Sequence, residues 1–557
     1  MNHKMLWGLK MLWAVTVFAL TFAHINCMQM ESPPGPWLSA TPGMARTAPP
    51  QAPEVKAGWA DDNQQYNYYL NYLERFSKVQ ALKLNVNDRV VLTVLDSQGR
   101  PMHNQEVVFR SGPDVACRRS TYADGRVMFF PHEDPKTEGC RIQVELPQPS
   151  GPPVTKALDL QGPSAVEIRL PRVRPQLAKV PLDVAFLFDT TGSMGDEIAA
   201  LKQTLDAIQV QVTNLSPQPD VRFGMVLYRD QGSEYVTRIL PFTSDFQRFT
   251  RDLAAVQAAG GNDEPEDVQS ALKAAMQDLA WRPDAVKLAF LIGDAPPHLD
   301  YRQEYTYVHA MRTAAQRAIK ITAVGAKGLN EQGEYVWRQL AQYTRGLFVF
   351  LTYGETGEAH ASAWTVSHHT GGNFESRNLD AIIVQAIARE LSHLGDRPVT
   401  LPEDYFVARP AEGVQSTAVL EDLFKQCARQ LVDFSQVKIE PGTAAAVAPP
   451  TAEGCPADLA GRLGDRLSLA LSSQKTFRLM EREDLAKVLD ELAVNKDSAF
   501  NQPLAVPAGK QVPAKILVVS KVRKSPAQYE MFVKMLRVET GEVLSATLVK
   551  IDPRLVE

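Results

Sequence analysis

Apolar residues run without a break from 184 to 188, and the run ends in Asp189. Such a run, closed by a polar loop, predicts a strand buried on both faces of a parallel sheet. Beyond the loop, Ile198, Leu201, Leu205, Ile208 and Val212 recur at helical spacing. The alternation continues along the chain. Strands are predicted over 223–227, 288–292, 319–324 and 347–351, with 236–240 pairing beside 223–227 as an edge. Helices are predicted over 246–258, 334–345 and 379–394, the second closed by Gly346. Strand and helix in turn predict a doubly wound (Rossmann-like) α/β domain over residues 180–396.

The flanking chain has other periods. Residues 84–170 break into short strands at 89–95, 106–109 and 141–146, with turns at Asp96-Ser-Gln-Gly99 and Tyr122-Ala-Asp-Gly125. They predict a β-sandwich over 80–175. Before it, Tyr66, Tyr69, Tyr72 and Phe76 share one face of a helix within 59–79, suited to packing on a later domain. After residue 396, a helix at 417–431 lies in a bridging segment, 400–436, and 441–450 is an Ala/Pro-rich break. Leu459, Leu463, Leu467 and Leu471 then line a helix, and Leu485, Val488, Leu489 and Leu492 line another. Strands at 476–480, 516–522, 529–538 and 543–551 complete a smaller α/β domain over 437–553. The predicted class is multidomain: a β-sandwich, then the doubly wound α/β domain, then the smaller α/β domain.

The 557 residues are 45% hydrophobic and 22% charged, ordinary values for globular protein. A net charge of -5 gives no reason to expect a nucleic-acid partner. Residues 1–26 read as a signal peptide, with Lys4 and Lys10 before an uncharged stretch, 11–23, too short to span a bilayer. Residues 27–58 read as a Pro-rich tether. Export is expected, and Cys27 sits where a bacterial lipoprotein carries its acylated cysteine, a resemblance that implies periplasm or outer membrane. In an oxidising compartment the other four cysteines suggest disulfides Cys117–Cys140 and Cys427–Cys455.

The loop Asp189-Thr-Thr-Gly-Ser193 sets short oxygen side chains at alternate positions, the donors a hard divalent cation takes. It stands at the carboxyl end of a strand, where open α/β sheets bind ligands. These residues resemble the von Willebrand factor type A (VWA) family, whose metal-ion-dependent adhesion site (MIDAS) reads D-x-[ST]-x-S. Asp189, Thr191 and Ser193 fill that pattern. A second-loop threonine commonly ligates the metal in the family; here Asp263 takes its place, within Gly260-Gly-Asn-Asp-Glu-Pro-Glu-Asp267. Pro265 and those acidic residues also suit the first turn of a helix. Asp294 matches the third-loop aspartate. The resemblance implies that Asp189, Thr191, Ser193, Asp263 and Asp294 hold Mg2+ directly or through water, with Mn2+ or Ca2+ as the alternatives. It also implies a protein partner that supplies a carboxylate to the metal. The set YRD, GG-x-D-x-P-E-D and GDAPPH-x-x-Y is similar to the VWA branch found in some alpha-kinase proteins.

No Walker A loop, HExxH pair, GxSxG elbow or kinase loop set occurs, so binding is expected rather than catalysis. Ser270-Ala-Leu-Lys273 has the S-x-x-K form but lies on an amphipathic helix without its companion motifs. His298, His368 and His369 lack metal spacing and read as solvated loop residues. The entry Thr121-Tyr-Ala-Asp-Gly-Arg-Val resembles bacterial immunoglobulin-like and carboxypeptidase-regulatory-like sandwiches, which space or present other domains. FRLMEREDLAKVLDEL, AKILVVSKV and LRVETGEVLSATLV resemble the periplasmic α/β domain of curli-secretion (CsgG-like) lipoproteins. Two functional readings follow. One is metal-dependent binding of a protein in the bacterial envelope. The other is a structural assembly protein that oligomerises through its C-terminal domain and keeps a vestigial metal site.

Overall fold

The computed structural model describes residues 55–134, 141–160, 164–213, 215–261, 264–326, 328–353, 377–395, 405–410, 412–480 and 513–556. The described chain opens with strand β1 (Val55–Ala60) and helix α1 (Tyr66–Arg75). β1 begins inside the stretch read as a tether and pairs with a strand far along the chain, Val55 opposite Tyr353. α1 carries the expected tyrosine face: Tyr66, Tyr69 and Tyr72 are buried, and Tyr72 stacks on Tyr335 with ring centroids 6.1 Å apart.

Seven strands follow: β2 (Val90–Leu95), β3 (Glu106–Ser111), β4 (Asp114–Ser120), β5 (Arg126–Phe129), β6 (Arg141–Leu146), β7 (Val154–Asp159) and β8 (Ser164–Arg169). They form two sheets, ordered β5-β2-β8 and β4-β3-β6-β7. Alternation turns Val90, Leu92 and Val94 of the first and Phe109 and Val144 of the second into one shared core.

The next segment comprises β9 (Val180–Asp189), α2 (Gly195–Thr213), β10 (Pro219–Tyr228), β11 (Thr237–Thr243), α3 (Phe246–Ala254), α4 (Val268–Gln277), β12 (Val286–Gly293), α5 (Tyr307–Gln316), β13 (Ile319–Gly325), α6 (Glu331–Tyr343), β14 (Phe348–Tyr353), β15 (Arg377–Asn378) and α7 (Leu379–Ser392). The sheet order is β11-β10-β9-β12-β13-β14-β1-β15, and the run from β10 to β14 is parallel. β9 explains its own apolar run. Val184, Phe186 and Phe188 share a core with Ile198 and Leu201 of α2 and Ile383 of α7. Ala185 and Leu187, on the other face, share one with Val268 of α4, Tyr307 of α5 and Trp337 of α6. Asp245, Asp267 and Asn330 cap α3, α4 and α6, their side chains accepting from the N–H of Arg248, Ser270 and Gly333.

The last segment holds β16 (Tyr405–Ala408), α8 (Ser416–Asp433), β17 (Thr443–Val447), β18 (Thr451–Glu453), α9 (Ala457–Ser473), β19 (Phe477–Leu479), β20 (Ile516–Lys524), β21 (Tyr529–Arg537) and β22 (Val543–Ile551). Its sheet runs β16-β22-β21-β20-β17-β19, with β18 also on β20. The described part of the segment read as a bridge, 405–410 and 412–436, packs into this sheet and its core. β16 pairs with β22, and Leu423, Phe424 and Leu431 of α8 share a core with Leu463 and Met531. The Ala/Pro-rich break likewise holds β17, whose Ala445 and Ala446 are buried. Among the described residues no helix is long and apolar enough to cross a membrane.

Cys117, Cys427 and Cys455 are free thiols, so the expected Cys427–Cys455 disulfide is not formed. Cys427 packs in the apolar core under α8, while the Cys455 thiol donates to the Val522 carbonyl at 3.5 Å. Cys27, Cys140, His368, His369 and the helix expected at 485–492 lie outside the described residues. Burial pushes the Cys427 thiol up to about 12, and the thiolate is the reactive form. Cys427 should therefore resist alkylation in the folded chain and react after unfolding without reductant. A 427–455 disulfide peptide in the unreduced mass spectrum would contradict this.

Candidate metal centre

Asp189 ends β9, Tyr228 stands opposite it at the end of β10, and Asp294 follows the last residue of β12. Because these neighbouring strands are parallel, their carboxyl ends share one sheet edge. Asp189 is fully buried. Its Oδ1 accepts from the Thr191 N–H at 2.9 Å and from the Thr191 hydroxyl at 2.8 Å. Its Oδ2 is also buried, and among the described residues no hydrogen bond reaches it. Thr191 Oγ1 lies 3.3 Å from Ser193 Oγ, and Ser193 opposes the rise that burial imposes on the Asp294 carboxyl. Four of the five expected residues are thus brought together, and Asp263 lies outside the described residues.

Two glycines permit the close approach. A Cβ on Gly293 would run into the Tyr228 hydroxyl and stand 3.1 Å from both Asp189 Cβ and the Trp337 ring. Gly261 has φ +67°, and a Cβ there would lie 2.6 Å from Thr191 Cβ and 2.9 Å from Glu266 Oε1. Backbone bonds fasten the second loop to the first: Gly192 N–H to Gly260 O at 2.9 Å and Ala259 N–H to Thr190 O at 3.0 Å.

Burial pushes the Asp189 carboxyl up to about 7; the Thr191 N–H opposes that rise and the Asp294 charge adds to it. Burial also raises Asp294. The Tyr228 hydroxyl is held far up by burial and then by the charges of Asp189, Asp294 and Glu266. Buried acids with one oxygen unbonded fit a cation, and two carboxylates with two hydroxyls are the hard donors that Mg2+ takes. Among the described residues no three His, Cys, Asp or Glu side chains stand close enough to hold a metal on their own. Thr191, Ser193, water and the expected Asp263, which lies outside the described residues, are the other oxygen sources.

Sequence reasoning left out Tyr228 and Glu266, and it placed His298 wrongly in solvent. His298 is buried and stacks on Tyr301 with ring centroids 3.7 Å apart. Its Nε2 lies 3.4 Å from Asp230 Oδ1 and its Nδ1 2.7 Å from Asp300 Oδ1, while the Tyr301 hydroxyl bonds Asp230 at 2.8 Å. The motifs YRD and GDAPPH-x-x-Y carry these residues, so the signal was present without its meaning. Ser270 donates to Asp267 at 2.8 Å and Lys273 is exposed, which makes the S-x-x-K sequence part of a helix cap.

A parallel sheet with helices on both faces, a D-x-T-x-S loop after one strand and an aspartate after its neighbour is the arrangement of a VWA domain. Residues 183–353 match the family model of the von Willebrand factor A domain, so the chain carries one. Proteins with this domain commonly mediate protein interactions. The chain is similar to the alpha-protein kinase vwkA of Dictyostelium discoideum, 29% identical over 118 residues, 21% of this chain and 19% of that protein. It is also similar to the von Willebrand factor A domain-containing protein 7 of Rattus norvegicus and of Homo sapiens. These are 40% and 39% identical over 93 residues, 17% of this chain and 10% of each relative. The chain thus spans 19% or less of the length of these relatives. The LpoB C-terminal domain from Salmonella enterica superposes with a TM-score of 0.20 and 12% identity, covering 24% of this chain and 98% of that domain. That likeness is too slight to carry fold or function.

Proposed function

We propose that this chain is a non-catalytic binding protein that holds a protein partner through a divalent cation at the carboxyl edge of its VWA sheet. The observation that supports this most is Asp189 Oδ2, a buried carboxylate oxygen without a hydrogen bond among the described residues, on a group that burial holds up to about 7. An isolated carboxylate in such a place is unfavourable unless a cation meets it. Asp189, Thr191, Ser193 and Asp294, with Asp263, would hold Mg2+; Mn2+ and Ca2+ are the other ions an all-oxygen set accepts. When bound, the ion supplies an electrophilic position for a carboxylate of the partner. The chain's own contribution is orientation: the Thr191 N–H and hydroxyl fix Oδ1 of Asp189, and the Ser193 hydroxyl stands beside that of Thr191. The signal-like residues 1–26, Cys27 as a lipid anchor point, the immunoglobulin-like spacer and a CsgG-like C-terminal domain able to oligomerise fit a bacterial envelope location.

The test is capture on the immobilised full chain from envelope extract, in Mg2+ and in EDTA, with Asp189→Ala alongside. A partner released by EDTA and not retained by the variant is the expected result. Capture unaffected by EDTA would overturn the reading.

A further inference from the structure

Glu266 is 3% exposed. Its N–H donates to the Pro296 carbonyl at 3.0 Å and its carbonyl accepts from the His298 N–H at 3.1 Å. The residue is thereby fastened to the segment that follows Asp294. On its other side Oε1 borders Gly261, whose opposite flank is Thr191. Its charge acts on the buried Tyr228 hydroxyl together with those of Asp189 and Asp294. Glu266 is therefore tied by its backbone to the third loop and sets its carboxylate beside Gly261 of the second, next to Thr191 of the first. The ordinary duty of an acid before a helix is already filled, because Asp267 caps α4.

We infer that Glu266 is a positioning residue of the metal site, an outer carboxylate that acts on the cation through its bound water and the Thr191 side of the loop. This rests on the metal-binding reading above. Outer carboxylates of this kind typically raise metal affinity by about 10- to 100-fold, because they orient the inner ligands and add charge.

Glu266→Gln keeps the volume beside Gly261 and removes only the charge. Titration of the full chain with MgCl2 by calorimetry should show affinity about 10-fold or more below wild type. The melting temperature of the metal-free variant should not fall, because the packing is kept. Glu266→Asp, with the charge on a shorter stem, should bind between the two. Wild type and Glu266→Gln binding Mg2+ equally would overturn the inference and leave the metal site standing. Glu266→Gln binding more tightly than Glu266→Asp would assign the role to shape and also overturn it. A wild type that binds no Mg2+ would overturn the site reading itself.

Discussion

Replacing Asp62 with alanine should destabilise the folded chain by about 3–5 kcal/mol, the usual loss when one partner of a buried ion pair is removed. The Arg338 side chain on α6 is fully buried and that of Asp62 is 1% exposed. Arg338 Nε donates to Asp62 Oδ2 at 2.9 Å, and a second guanidinium nitrogen donates to Oδ1. The guanidinium also lies 4.2 Å from the Tyr72 ring centroid. Burial opposes the guanidinium charge, and Asp62 is the main charge that offsets it. Without Asp62 the arginine keeps Glu334 at 3.5 Å, a longer contact than the pair it loses. The turn between β1 and α1 would keep its Asn63–Gln342 bonds to α6 but lose the tie to Arg338, so α1 amides should exchange faster. Urea unfolding of the full chain measures the loss. The double variant Asp62→Ala/Arg338→Met should recover most of it, because both charges leave together. A loss below about 1 kcal/mol in the single variant would show that Glu334 alone satisfies Arg338.

β9, β12 and β13 are legible in the sequence because both their faces are covered, which makes nearly every position apolar. β1 (VKAGWA) and β17 (TAAAV) are not legible. Their small residues give little strand signal, and it is pairing with distant strands that forms them. The apolar face of α8 is readable as a helix, but the pattern cannot say that β22 completes its core. α5 is hard to read between two strands, because half of its buried positions are small alanines.

The candidate site divides in the same way. Asp189, Thr191, Ser193 and Asp294 stand at the ends of readable strands, so their convergence follows from parallel pairing. Tyr228 reads only as the last residue of an apolar strand. Glu266 reads as one more acid before a helix. Their part in the site depends on burial and on loop contacts that no local pattern contains. His298 reads as a solvated loop residue because its cover, Tyr301, is recognisable only once the ring stack is formed.

In the metal-free chain, Asp189→Asn should raise stability at pH 8 by roughly 3–4 kcal/mol and change little near pH 3.5. Burial holds the acid up to about 7 in the folded chain, against 3.8 for an ordinary aspartate. Folding therefore favours the protonated form. That contribution is fully present below about pH 4 and is lost as pH rises through about 7. The asparagine has no proton to lose, so wild type weakens across this window and the variant does not. Mg2+ should close most of that gap at pH 8. Wild type should gain about 2.7 kcal/mol at a hundredfold excess over Kd, and the variant should gain little.

Titration calorimetry of the full chain with MgCl2 at pH 8, wild type beside Asp189→Ala, tests the central claim most directly. The expected result is one binding event in wild type that is absent from the variant and weakens as pH falls through 7, because protons compete for Asp189. Equal heats from the two proteins would contradict a cation held by Asp189 and favour an assembly protein with a vestigial site.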